Sequence, residues 1–149
     1  MKDMTLQFEP VSYAKEVHLP RRADCGSAGY DFYLPHKVAL QPDVTECIFT
    51  NVKACMSHGV VLLITIRSSL ALRGVVLVNS PGVVDESYYN NPTNEGNIGL
   101  LLRNITQKTI VLYAGTRVAQ GLFVPYLIHD VYQPPLVQAR SGGFGSSGT

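Results

Sequence analysis

Four short stretches of this chain carry residue types that could do chemistry. In IRSSLA, Ile66 to Ala71, an arginine and two serines sit where a strand-like run gives way to a short helical one. A helix start presents free N–H groups and the positive end of the helix dipole, which suits phosphate. The plain alternative is a serine N-cap. In NSPGVVDESYYN, Asn79 to Asn90, Asp85 follows two valines inside an apolar run. A carboxylate with an ordinary pKa of about 4 is ionised at neutral pH and can take a proton from water. The alternative is an ordinary turn aspartate. In SAGYDFYLP, Ser27 to Pro35, Asp31 lies between two aromatic residues. It could orient a water or a metal ion, or be an edge-strand aspartate. The chain closes on RSGGFGSSGT, Arg140 to Thr149. Glycines let backbone N–H groups approach an anion, serines add donors, and a lone phenylalanine could cover a flat ring. A flexible linker has the same composition.

The elements that must position these residues read as strands. TLQFEP, GYDFYLP, KVALQP, TECIFTN, GVVLLITI, GVVLVN, NIGLLLRN, KTIVLYAG and RVAQGLFVPYLI are short apolar or β-branched runs. Gly, Pro, Asn and Asp punctuate them. The runs flanking Pro81-Gly82 predict a hairpin-like element. Only SSLALRG predicts a turn or two of helix. Many short strands without a long helix predict an all-β sandwich or barrel.

Composition narrows the function classes. The chain has 149 residues, enough for one domain with a real core, and 46% are apolar against 15% charged, which excludes disorder. Twelve basic and 11 acidic residues leave a net charge of +1 with no basic stripe, so nothing points to a nucleic-acid partner. The apolar run Val60 to Ile66 is far shorter than the ~20 residues of a membrane helix, and MKDMTLQFEP carries no signal segment. Cys25, Cys47 and Cys55 fit no zinc spacing and read as reduced thiols, which suggests a cytoplasmic protein. His18, His36, His58 and His129 are scattered singly, without metal-ligand spacing.

Each stretch is a weak signal alone, but their order is specific. SAGYD, IRSSLA, NSPGVVDESY, GTRVAQGLFVP and a terminal GGFGSSG, in that order, resemble the motifs of the trimeric dUTP pyrophosphatases, the dUTPases. The resemblance runs from Leu19-Pro20 nearly to the end of the chain. It implies a distorted β jelly roll with one short helix, assembled as a homotrimer with sites shared between subunits. It implies a β domain over 1–139 and a Gly/Ser-rich lid over 140–149. The implied reaction turns dUTP and water into dUMP and pyrophosphate, with Mg²⁺ on the phosphates.

Carried over by residue, the resemblance implies that Asp85 activates the attacking water and that Tyr88 packs against the deoxyribose, excluding a 2′-hydroxyl. Asn79, Gly82, Val84 and the backbone around them match the uracil pocket. Arg67, Ser68 and Ser69 match the phosphate-binding turn, with serine at position 69 where many members have glycine. Gln120 matches a phosphate-side contact and Arg117 a structural partner of the site. Asp31 matches the carboxylate that holds Mg²⁺ through bound water. Phe144 would stack on uracil, and Arg140, Gly145, Ser146 and Ser147 would meet the phosphates, in a site belonging largely to neighbouring chains.

Two features depart from the family pattern. YNNPTNE separates Tyr88 from GNIG, where most members have a much shorter link. Its polarity predicts an exposed loop near the site mouth, either a bland surface or one for a protein partner over 89–96. In the tail, Arg140 lies two positions before Gly142, and Ala139 stands where the family places the arginine.

Two rival functions use the same fold. A dCTP deaminase resembles this chain at RSSLALRG, but it needs a glutamate to shuttle protons where this chain has Leu101. A dUTPase-fold regulatory protein, gated by nucleotide, would use the extra loop as its surface. Asp85, Tyr88, Ser68, Gln120 and Phe144 together favour an enzyme.

Overall fold

The computed structural model describes residues 5–129 and 142–145. Among them, in chain order, come β1 (Leu6–Pro10), β2 (Arg21–Arg22), β3 (Tyr30–Tyr33), β4 (Val38–Leu40), β5 (Thr45–Phe49) and β6 (Val52–Met56). There follow β7 (Val60–Ile66), the helix α1 (Ser68–Ala71), β8 (Val75–Leu77), β9 (Gly82–Val84) and a 3-10 turn at Glu86–Tyr88. β10 (Gly99–Asn104), β11 (Ile110–Leu112) and β12 (Arg117–Pro125) complete the set. The fold is all-β with one short helix, as the punctuation of the sequence predicts. Its strands form a distorted jelly roll of four open sheets, with orders β1-β6, β5-β10-β8, β11-β4 and β2-β3-β12-β7-β9, rather than a closed barrel.

The five-stranded sheet does most of the positioning. Its inner face follows from alternation: Leu62 and Ile64 on β7 are buried, with Phe32 on β3 and Ala119 on β12. These pack against Leu100 and Leu102 of β10, Leu40 of β4 and Leu112 of β11. Each such side chain, fully buried, contributes about 1.5–3 kcal/mol. Phe8 of β1 covers one end, with ring centroids 5.4 Å from Tyr30, 5.5 Å from Phe32 and 5.2 Å from Phe123. Gly121 sits under this cluster because a Cβ there would lie 2.9 Å from both Leu62 and Phe32.

Three elements differ from the sequence expectation. β6, VKACM, has a lysine and a cysteine where a strand pattern would show apolar residues, yet it is almost wholly buried because its neighbours satisfy Lys53. β2 is only two residues long and is held by β3. The runs around Pro81-Gly82 do not form a hairpin. β8 pairs with β10, and β9 pairs with β7, so the turn carries the chain from one sheet to another. The Ser80-Pro81 peptide in that turn is cis.

Asn104, fully buried, fastens this framework. Its amide donates to the carbonyls of Leu40 and Lys108 at 2.9 and 2.8 Å, and its Oδ1 accepts from Thr106. A buried amide with every group paired stabilises a single register.

Candidate active site

The sequence-predicted residues fall into two groups. The first surrounds a cavity of about 300 Å³ between the β8–β9 turn and β10. Asn79, Gly82, Val84 and Tyr88 line it with Ile64, Ile98 and Gly99. Phe144 and Gly145 line it too, so this end of the tail lies over the chain's own cavity. The approach is close: a Cβ on Gly143 would lie 2.9 Å from the Tyr88 ring, and one on Gly99 would lie 3.0 Å from Phe144 and 3.1 Å from the Cys47 sulfur. Burial pushes the Cys47 thiol pKa up. Cys25, Cys47 and Cys55 are all free thiols.

Asp85 follows Val84 directly and begins the 3-10 turn, its carbonyl accepting from the Tyr88 N–H at 3.1 Å. Its place after two valines suggests burial, but the residue is exposed. β9 ends at Val84, so Asp85 has already left the sheet. Tyr88 is buried, and its hydroxyl donates to the Asn97 carbonyl at 2.7 Å.

The second group lies on the outer face of the five-stranded sheet. Asp31 of β3 stands opposite Gln120 of β12, which stands opposite Thr65 of β7. Directly opposed residues share a face, whereas Ile64, next to Thr65, points to the cavity side. Asp31 is 5% exposed, and its Oδ2 accepts from Arg67 at 3.1 Å and from Arg117 at 3.3 Å. Two guanidiniums balance the buried carboxylate, as burial of a charge requires. Gln120 lies across Gly29, where a Cβ would come within 2.7 Å of its Oε1. The glycine of SAGYD therefore makes room for Gln120, a role that spacing alone did not reveal.

Ser68 and Ser69 are exposed in the first turn of α1. The N-cap is Arg67 rather than a serine; its guanidinium has no acceptor to offer the free N–H groups, so it makes no side-chain cap and pairs with Asp31 instead. None of Asp31, Arg67, Ser68, Ser69 or Gln120 lines the cavity. Arg140, Ser146 and Ser147 lie outside the described residues.

The segment 89–96 corrects a sequence expectation. Its polar composition predicts an exposed loop, but Asn91 is 4% exposed and Gly96 is buried. The polar side chains are used internally. Asn91 Nδ2 donates to the Tyr88 carbonyl at 2.9 Å, and its Oδ1 accepts from Thr93 and Asn94 N–H groups. Glu95 accepts from the Ser12 N–H at 3.0 Å and from the Ser12 hydroxyl, and pairs with Lys53 at 3.3 Å. Lys53 also donates to Asn90 at 2.7 Å and lies 5.3 Å from the Tyr89 ring centroid. The Ser12 hydrogen bonds, then Lys53, hold the Glu95 pKa below its usual range. Tyr89 donates to Glu9 at 2.8 Å, which raises its pKa.

Among the described residues, no cluster of His, Cys, Asp and Glu could hold a metal ion by several direct ligands. Asp31, the carboxylate that the resemblance assigns to Mg²⁺, is buried with its Oδ2 paired to Arg67 and Arg117, which leaves only a mode through water. Mg²⁺ keeps several waters and binds phosphate oxygens, so a single carboxylate reached through water suffices.

The dUTPase family model matches residues 15–148. The chain belongs to the dUTPase family. Among curated relatives, the deoxyuridine 5′-triphosphate nucleotidohydrolase of Lactococcus lactis subsp. lactis (strain IL1403) is 42% identical over 144 residues, covering 95% of this chain and 96% of its own. The dUTPase of Streptococcus mutans is 43% identical in its solved structure, with a TM-score of 0.79, covering 83% of this chain and 98% of that one. A mutant dUTPase from phage phi11 of S. aureus, described with a structural Mg(II) ion, shares the fold at 22% identity, with a TM-score of 0.72, covering 89% of this chain and 98% of that one.

Proposed function

We propose that this dUTPase hydrolyses dUTP to dUMP and pyrophosphate by in-line attack of water on the α-phosphorus. Family membership assigns dUTP hydrolysis; the residue roles below are the proposal. Asp85, exposed directly after β9 and between the cavity-lining residues Val84 and Tyr88, takes the proton from the attacking water. No covalent intermediate is needed, so positioning and charge neutralisation lower the barrier.

The carrying observation is the cavity enclosed by Asn79, Gly82, Val84 and Tyr88. It suits a flat, partly polar base. Backbone groups of the turn can pair with the uracil edge, and cytosine, with donor and acceptor exchanged, would leave buried groups unpaired. The Tyr88 ring packs on the deoxyribose. Phe144 covers the base, and Arg140, Gly145, Ser146 and Ser147 complete a lid over 140–149. On the phosphate side, Arg67, Ser68, Ser69 and Gln120 supply donors. Mg²⁺, held by Asp31 through water, would neutralise phosphate charge.

The division of these residues supports a homotrimer with shared sites. None of the Asp31–Gln120 row lines the base cavity, and Asp31 and Gln120 face away from Ile64, Gly82 and Val84 on the sheet, which favours a site completed by a second chain. The outer face also carries Leu63, Leu122 and Val83 in register, with Val83 57% exposed. An apolar row beside a charged cluster suits a subunit contact. The rival readings have weaker support. Leu101 on β10 stands opposite Cys47, with no carboxylate to shuttle protons for a deaminase. A protein-binding surface on 89–96 would have to use Pro92 and Thr93 at its exposed tip.

The test is pyrophosphate release from dUTP, dCTP, dTTP and UTP, with and without Mg²⁺. The expected result is release from dUTP alone, enhanced by Mg²⁺. Ammonia release from dCTP would overturn the reaction.

A further inference from the structure

The 89–96 segment does not line the cavity itself but holds Tyr88, which does, through the side chains of Asn91 and Asn94. Asn94 Nδ2 donates to the Tyr88 hydroxyl at 2.9 Å, on the same oxygen that donates to the Asn97 carbonyl at 2.7 Å. Two bonds on one hydroxyl fix both the tilt and the reach of the ring. Asn94 is itself fixed: its Oδ1 accepts from Asn91 Nδ2 at 2.8 Å and from the Gly96 N–H at 3.0 Å. Gly96, at φ +86°, is close enough to the Tyr88 carbonyl that a Cβ would lie 2.7 Å from it. The far side of the segment is tied to Ser12 and to buried Lys53. A chain of paired groups thus runs from the N-terminal part of the fold to the tip of the Tyr88 ring.

We propose that the 89–96 segment is a built-in brace for the sugar pocket, with Asn94 as a positioning residue that sets the Tyr88 ring and thereby the preference for 2′-deoxyribose over ribose. This rests on the reading that Tyr88 packs on the sugar. Excluding one hydroxyl is a short-range steric task, and a displacement of about 1 Å is enough to admit an oxygen or to misplace a substrate. A ring anchored only at its Cβ end retains χ1 and χ2 freedom; a ring also held at its hydroxyl does not.

The experiment measures kcat/KM for dUTP and UTP with the full chain carrying Asn94→Ala, Tyr88→Phe, or both. Thermal midpoints and sedimentation report the folded assembly. In Asn94→Ala the dUTP-to-UTP preference should fall about tenfold, mostly through a rise in UTP turnover. A merely structural loss would lower both substrates together and leave their ratio unchanged. Tyr88→Phe keeps the ring and removes the hydroxyl, so it should reproduce the fall, and the double variant should add nothing further. Asn94→Asp keeps the acceptor for the Gly96 N–H but puts an acceptor where the donor was. It should lose preference even if Asn94→Ala does not fold. Unchanged preference in the Asn94 variants, or additive losses in the double variant, would overturn the brace while leaving the sugar reading intact. A wild-type enzyme that does not prefer dUTP over UTP would overturn the sugar reading, and the brace with it.

Discussion

The cavity and the Asp31 row show how differently two regions of one sheet can be built. The cavity is enclosed by backbone turns and apolar side chains, with Tyr88 and Asn79 adding polar groups at its wall. The Asp31 row is a charge arrangement on a sheet face, where one buried carboxylate is balanced by Arg67 and Arg117. In the proposed reading the first discriminates by shape and by hydrogen bonds that a wrong base would leave unmade. The second, in that reading, meets phosphate and its cation and has no enclosed shape to distinguish one base from another. In the proposed homotrimer, with the two on opposite sides of the sheet, recognition and phosphate handling would meet where chains meet.

The largest expected effect tests that separation. Asp85→Asn should lose at least about 10²-fold in kcat, the scale of general-base catalysis. When it is denatured and refolded together with an inactive Asp31→Asn chain, mixed assemblies should regain activity, because one chain supplies an intact cavity and another an intact phosphate side. Pyrophosphate release before and after mixing reads this directly. No recovery on mixing would return both halves to a single chain.

A smaller effect concerns stability on the phosphate side. Asp31→Asn leaves Arg67 and Arg117 facing each other without their carboxylate. Arg117 is half exposed and partly screened by water, so the loss should be about 1–3 kcal/mol, read by urea unfolding. The same substitution should leave the affinity of the isolated cavity for dUMP nearly unchanged, which calorimetry measures.

The smallest effect is in acid. Glu95 has a lowered pKa in the folded chain, so its ties to Ser12 and Lys53 contribute stability that is fully present above its unfolded value of about 4.3. That contribution is lost as pH falls through the folded value. Hydrogen exchange of the 89–96 amides should therefore accelerate below about pH 4 relative to the β10 amides. In Glu95→Gln this acid-dependent step should disappear.

Much of the fold was legible because its signals are local. Val60 to Ile66 is an unbroken run of mostly apolar, β-branched residues, and turn residues bracket almost every strand, so β7, β10 and β12 follow from composition and punctuation. β6 did not, because Lys53 looks like a surface residue until Asn90 and Glu95 arrive from a distant segment. The β8–β9 turn looked like a hairpin because sequence shows adjacency but not the sheet each strand joins. The candidate site residues were legible through motif order, yet their division between two faces was not, since it depends on the register of β3, β12 and β7.

The sequence by itself determined the strand-rich class, the family and the identity of the chemical groups, because these depend on residue type, order and short-range periodicity. Only the tertiary structure decided that Arg67 caps α1 through its backbone while its side chain serves Asp31. It alone brought Asn91, Asn94 and Asn97 into hydrogen bonds with Tyr88. Those outcomes depend on which distant groups become neighbours, and a buried polar side chain takes its meaning from the partner that satisfies it.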